Sequence, residues 1–153
     1  MDDAIPPIVE PIRHAIMVEA DRERTFNTFI REIGSWWPIQ TSAIQPGQVE
    51  SVHVEEHVGG RIYEVLFDGR ECDWGHIQKW DPPKFFAFSW EVLPGPIYTE
   101  VLLYFKTLGP RLTRVELVHH GWEKLGPMMM DLYAKHKAGW PNILGGFERM
   151  FAR

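Results

Sequence analysis

One cysteine, Cys72, stands among 153 residues. A lone thiol excludes an internal disulfide framework and a multi-cysteine zinc site. It fits a reducing compartment. Runs of Lys or Arg are missing and the formal net charge is −5, which argues against nucleic acid or an anionic membrane surface as partner. No uninterrupted apolar stretch approaches the roughly 18 residues that a membrane span needs. The opening "MDDAIPPIVEP" lacks the basic start and apolar run of a signal peptide, so a cytoplasmic protein is expected. Gly-x-Ser-x-Gly does not occur. Gly59-Gly60 and Gly145-Gly146 lack the lysine and the strand–helix context of a phosphate loop. Histidines show no metal-ligand spacing: His53 and His57 lie four apart on an expected strand, where helical spacing means nothing. Neither a metal nor a cofactor is implied.

Aromatic rings are abundant: seven Trp, nine Phe and four Tyr. Such rings fill cores, and they also line concave sites for apolar ligands. A chain of this length is one domain and can bury roughly 70% of its unfolded surface. Residues 1–11, with three prolines and three acids, read as an irregular arm, leaving 12–153 as a single domain. "GSWWPIQ" (34–40) sets two tryptophans side by side. Neighbouring residues on a strand or helix point to different sides, so the two rings are expected to part. Trp36 is assigned to packing under a helix and Trp37 to closing one end of a cavity, either ring being able to take either place.

Alternation of Ile12, His14, Ile16 and Val18 predicts a strand over 12–19. Phe26, Phe29, Ile30 and Ile33 then fall at helical spacing behind Asp21 as N-cap, with Gly34 ending that helix and one further turn after it. From Val49 six strand-like segments follow, punctuated by Gly59-Gly60, Asp68-Gly69, Asp81-Pro82-Pro83, Pro94-Gly95-Pro96 and Leu108-Gly109-Pro110, which predicts an antiparallel meander. Met129, Tyr133, His136, Trp140, Ile143 or Leu144, Phe147 and Phe151 share one face of a long C-terminal helix. Pro141 predicts a kink or break near Gly139–Pro141. The fold class is α+β, with about seven strands and helices segregated to one side. Parity turns Phe86, Phe88, Trp90, Val101, Leu103, Phe105, Val115, Leu117 and His119 inward. On 61–67 and 71–80 both faces carry apolar groups. The first reading there sets Tyr63 and Phe67 inward and leaves Glu64 in water, because an unpaired buried charge is costly. Trp74 and His76 share a face by the same parity.

The segments "WWP", "VGGRIYEVLFDG", "WGHIQKWDPPKFFAFSW", "TEVLLYF", "TRVELVHHGWEKLG" and "GWPNILGGFE" occur in that order. Together they resemble the SRPBCC superfamily, also called START-like or birch-pollen-allergen-like. The likeness is greatest to its bacterial branch named for the activator of the heat-shock-protein ATPase, and it spans about residues 12–151. It implies a helix-grip fold, in which the sheet wraps the C-terminal helix around a mainly apolar cavity, and a role in binding or shielding a hydrophobic small molecule. Members of that superfamily span carriers, cyclases and co-chaperones, so the fold alone does not settle function.

Trp37, Trp74, Phe88, Trp90, His119, Met129, Tyr133, His136 and Trp140 are the expected ligand-binding residues. Met128-Met129-Met130 offers flexible side chains suited to an adaptable apolar site, or a run split between core and surface. His119 reads either as a core histidine satisfied by a backbone carbonyl or as a polar anchor or acid/base at the cavity mouth. His76 and Glu64 are weaker catalytic candidates. Three functions stand in order: a small-molecule binding module holding an apolar ligand, aromatic or acyl, in a cavity between sheet and C-terminal helix; a cavity enzyme such as a polyketide cyclase or hydrolase using these histidines and Glu64; and a co-chaperone-like protein-interaction domain. An exposed apolar patch would mark a protein partner or a homodimer.

Overall fold

The computed structural model describes residues 9–93 and 96–152. The expected arm therefore falls mostly outside the described residues. Its last three, 9–11, belong to no helix or strand. Pro94 and Gly95 of one expected turn also lie outside.

Strand β1 (Ile12–Val18) is followed by helix α1 (Arg22–Arg31) and the short helix α2 (Ile33–Trp36). Asp21 caps α1 as its spacing implies, its carboxylate accepting from the Arg24 amide at 2.8 Å. The helix stops at Arg31, three residues before Gly34, and Gly34 lies within α2.

Six strands then run in order: β2 (Val49–Val54), β3 (Arg61–Leu66), β4 (Glu71–Asp81), β5 (Phe85–Trp90), β6 (Thr99–Gly109) and β7 (Leu112–His120). Each pairs antiparallel with the next, and β1 closes against β7, giving one sheet in the order β1-β7-β6-β5-β4-β3-β2. A 3-10 segment (Trp122–Met128) leads into helix α3 (Met129–Arg149), which lies along β1 and α2. This is the α+β helix-grip arrangement.

Of the expected kink or break at Pro141, the break does not occur: the helix is one element from Met129 to Arg149. Proline frees the carbonyl four residues back, here that of Lys137. Pro141 and Lys137 are both exposed, so the freed carbonyl belongs to the solvent side of the helix, where water can satisfy it.

Bulges explain where strand parity misleads. Ile62 pairs Gly75, but Tyr63 pairs Asp73. Trp74 is therefore an extra residue in β4, and an extra residue resets the alternation. Trp74, Gly75 and Ile77 are buried, while the His76 side chain turns outward. Trp74 and His76 thus do not share a face. A second irregularity between Ile77 and Lys79 turns Trp80 back toward Phe26, with ring centroids 5.4 Å apart. Gly75 is required at the bend: a Cβ there would sit 1.6 Å from the Ser89 carbonyl oxygen.

On β3 the inward set is Ile62, Glu64 and Leu66, and Phe67 is 71% exposed. The orientation preferred from sequence is overturned. Elsewhere the expected inward sets of β5, β6 and β7 are buried. The core lies between the concave sheet face and the three helices, and aromatic rings fill much of it.

Candidate functional site

The two adjacent tryptophans part by a change of backbone rather than by burial. Trp36 ends α2, and Trp37 is already extended (φ −70°, ψ 135°). Both rings are buried in the same core with centroids 5.5 Å apart, contrary to the expectation that they would not bury together. Trp36 packs on Phe29 and Phe147, and its indole N–H donates to the Phe29 carbonyl. Trp37 faces Trp74 at 4.6 Å and Trp140 at 5.8 Å.

Beyond Trp37 a cavity of about 460 Å³ opens between α3, the ends of β4 and β5 and the loop 41–44. Indoles of Trp37, Trp74, Trp90 and Trp140 wall it, with Ile44, Leu93, Leu132 and Ile143 adding aliphatic surface.

Each of those indole N–H groups is already spent within the protein. Trp37 donates to the Ser42 carbonyl. Trp74 donates to Glu64 Oε1 at 2.7 Å. Trp90 donates to His136 Nε2 at 3.1 Å and Trp140 to His119 Nδ1 at 3.0 Å. With their donors committed, the rings present apolar surface to the cavity.

An indole N–H can only donate, so these partners fix the histidine tautomers. His119 Nδ1 carries no proton. Its Nε2–H donates to the Thr99 hydroxyl at 2.6 Å. His136 is the opposite tautomer: Nδ1–H donates to the Leu132 carbonyl at 2.8 Å and Nε2 accepts. Burial pushes His119 well below its usual value of 6.5, and the neighbouring His136 and His120 push the same way. Burial also lowers His136; the Leu132 carbonyl opposes that and the Lys135 charge adds to it. His119 is thus a core histidine, but a hydroxyl and an indole satisfy it rather than the expected backbone carbonyl.

Glu64 is fully buried and paired. Its carboxylate accepts from the Ile44 amide at 2.8 Å, the Gln45 amide at 3.0 Å and the Trp74 indole. The objection to burying it assumed an unpaired charge; three N–H donors remove that objection. One side chain thereby fastens the cavity loop to the sheet and orients a cavity wall.

Trp37, Trp74, Trp90, His136 and Trp140 from the expected set meet at the cavity. Phe88, His119, Met129 and Tyr133 do not line it. Phe88 and Met129 are buried in the core, and Tyr133 packs edge-on against Trp122 at 5.6 Å. His119 stands behind Trp140 rather than at the mouth, with no exposed surface. His76 lies outside the cavity in a half-exposed pair with Glu91, 2.7 Å apart. The side chain of Met128 is outside the described residues. Sequence reasoning missed the loop residues Thr41, Ser42, Ala43 and Ile44, and also Lys135 and Gly139. The last two stand four apart on α3, a spacing that could have placed them on one face. Among the described residues, no three His, Cys, Asp or Glu side chains form a metal-binding group, and no helix is long and apolar enough to cross a membrane.

A curved seven-strand sheet gripping a terminal helix, with an aromatic cavity between them, defines a START-like helix-grip domain. The chain belongs to the family "Activator of Hsp90 ATPase homolog 1-like protein", whose model matches residues 19–152, within the SRPBCC superfamily. No curated protein matches it. Among solved structures it is similar to Txn09, described as an anthrahydroquino-gama-pyrone synthase. The two share 30% identity over 85% of this chain and 86% of that one, with a TM-score of 0.58. CalC from Micromonospora echinospora, described as a self-sacrificing resistance protein, is 26% identical over 93% and 94%, with a TM-score of 0.64. The Aha1 dimer from Colwellia psychrerythraea shares the fold at 18% identity over 94% and 96%, with a TM-score of 0.65.

Proposed function

We propose that the protein is a small-molecule binding module that holds an apolar, aromatic-rich ligand between its sheet and α3. The observation that carries this reading is the cavity of about 460 Å³ whose four indoles have no free N–H. That volume falls within the roughly 300–1,000 Å³ of ligand sites in general. Apolar burial, about 25 cal/mol per Å² before ordering costs, would supply the affinity. Trp37, Trp74, Trp90 and Trp140 are the proposed contact surfaces. His136 holds Trp90 in place, and His119 does the same for Trp140 from behind.

Likeness to a synthase at 30% identity supports a cavity enzyme as the second reading. The three catalytic candidates support it less. Glu64 already accepts from three donors, His119 is enclosed, and His76 faces away. His136 is the histidine that lines the cavity, and both its nitrogens are engaged. A co-chaperone-like role ranks third.

Titration calorimetry with two- and three-ring aromatics tests the first reading. Saturable one-to-one binding, abolished when the cavity is filled by Gly139→Leu in a folded protein, is the expected result. Absence of binding across such a series, or binding indifferent to that substitution, would refute it.

A further inference from the structure

Lys135 gives the cavity a chemical preference beyond its apolar walls. It lines the cavity from the exposed side of α3, one residue before His136 and one turn from both Leu132 and Gly139. Among the described residues no Asp or Glu lines the cavity, and the ionisable side chains that do are Lys135 and His136. His136 is neutral in the hydrogen-bonded tautomer, so among the described lining residues Lys135 is the one that carries a formal charge. Among the described residues Lys135 makes no ion pair, although Asp131 stands one turn before it. Its charge is close enough to His136 to depress that imidazole. A protein of net charge −5 thus turns an uncompensated cation toward an indole-walled cleft.

Resting on the binding-module reading, we infer that the occupant is an aromatic anion. Its ring system lies among Trp37, Trp74, Trp90 and Trp140, and an ionised oxygen, carboxylate or phenolate, meets Lys135 at the rim. Lys135 is then the specificity-determining residue. The spent indole donors make the selection sharper. With the four indole N–H groups engaged, a neutral carbonyl gains little from them, whereas an anion finds a charge-assisted partner at the mouth. A cation would meet Lys135 with repulsion and no compensating carboxylate.

Calorimetry with 2-naphthoate and its neutral methyl ester at pH 7.5 and low salt tests the inference. The wild-type protein should bind naphthoate about threefold to tenfold more tightly than the ester, the range for a partly exposed charged hydrogen bond. Lys135→Gln should erase that preference, and Lys135→Arg should retain it. Lys137→Gln removes the same charge from the same helix outside the cavity and should alter neither affinity. Added salt should narrow the gap in the wild type only. If the ester binds as tightly as naphthoate, or Lys135→Gln keeps the preference, the inference falls and the cavity reading survives. If neither compound nor any larger aromatic binds, both fall together.

Discussion

Trp140 and His119 form a donor–acceptor pair, the indole N–H meeting imidazole Nδ1 at 3.0 Å inside the core. Protonating His119 would set two N–H groups against each other. Trp90 and His136 repeat the arrangement at 3.1 Å. The consequence for acid stability has a definite sign. Both histidines sit below their unfolded value of 6.5, so the unfolded chain binds more protons beneath that value. Stability should be full above pH 6.5 and fall as pH drops below it. His119 contributes a slope of up to about 1.4 kcal/mol per pH unit until its folded value is reached. Urea melts at pH 7.5 and 5.5 measure this, and equal midpoints would contradict it.

The same pairs predict the tautomers directly. Nitrogen-15 shifts should show His119 protonated on Nε2 and His136 on Nδ1 at neutral pH. Neither ring should titrate near 6.5, because both are held below that value.

His119→Phe should keep the ring volume and lose the network. It leaves the Trp140 N–H and the Thr99 hydroxyl buried without their shared partner. The cost should be about 1–3 kcal/mol for each stranded group, read from urea midpoints. A cost no larger than that of a surface substitution would show that water replaces the imidazole.

Glu64→Gln should loosen the cavity loop. One carboxylate oxygen becomes an amide NH₂, which must face either the Gln45 amide or the donors from Ile44 and Trp74. A loss of about 1–3 kcal/mol is expected. Faster hydrogen exchange should be confined to the Ile44 and Gln45 amides and the Trp74 indole, and unchanged exchange there would rule out the clasp.

Two glycines on α3 should respond oppositely to Ala. At Gly146 a Cβ would stand 2.4 Å from the Trp36 carbonyl oxygen, so Gly146→Ala must push α3 from α2 and destabilise. Gly139 has nothing within 4 Å of its Cβ position. Gly139→Ala should gain up to about 1 kcal/mol of helix propensity, and thermal melts of the pair should move in opposite directions.

The architecture was legible because its signals are periodic. Turn residues every ten or so positions gave the meander, and Phe147, Trp140 and Leu144 at helical spacing gave the grip. The resemblance of six ordered segments to SRPBCC proteins reached the family. Parity failed where the chain adds a residue. Nothing in "DWGHI" signals that Trp74 is bulged, because the bulge depends on Gly75 meeting Ser89 across the strand. Glu64 was misjudged for a related reason. Its donors come from Ile44 and Gln45, about twenty positions earlier in a loop with no periodicity. The cavity was half legible: its aromatic wall is visible as composition, but Thr41, Ser42 and Ala43 reach it only through loop closure, and Lys135 reads as an ordinary solvated charge.

The crowding of indoles around one hollow also gives the molecule an optical signature. Trp37 and Trp74 lie 4.6 Å apart, and Trp90 and Trp140 5.3 Å apart, near enough for their excited states to couple. Any guest entering between them perturbs several chromophores at once. Under the proposed binding role, occupancy should therefore register as a change in near-ultraviolet dichroism and emission without any attached dye.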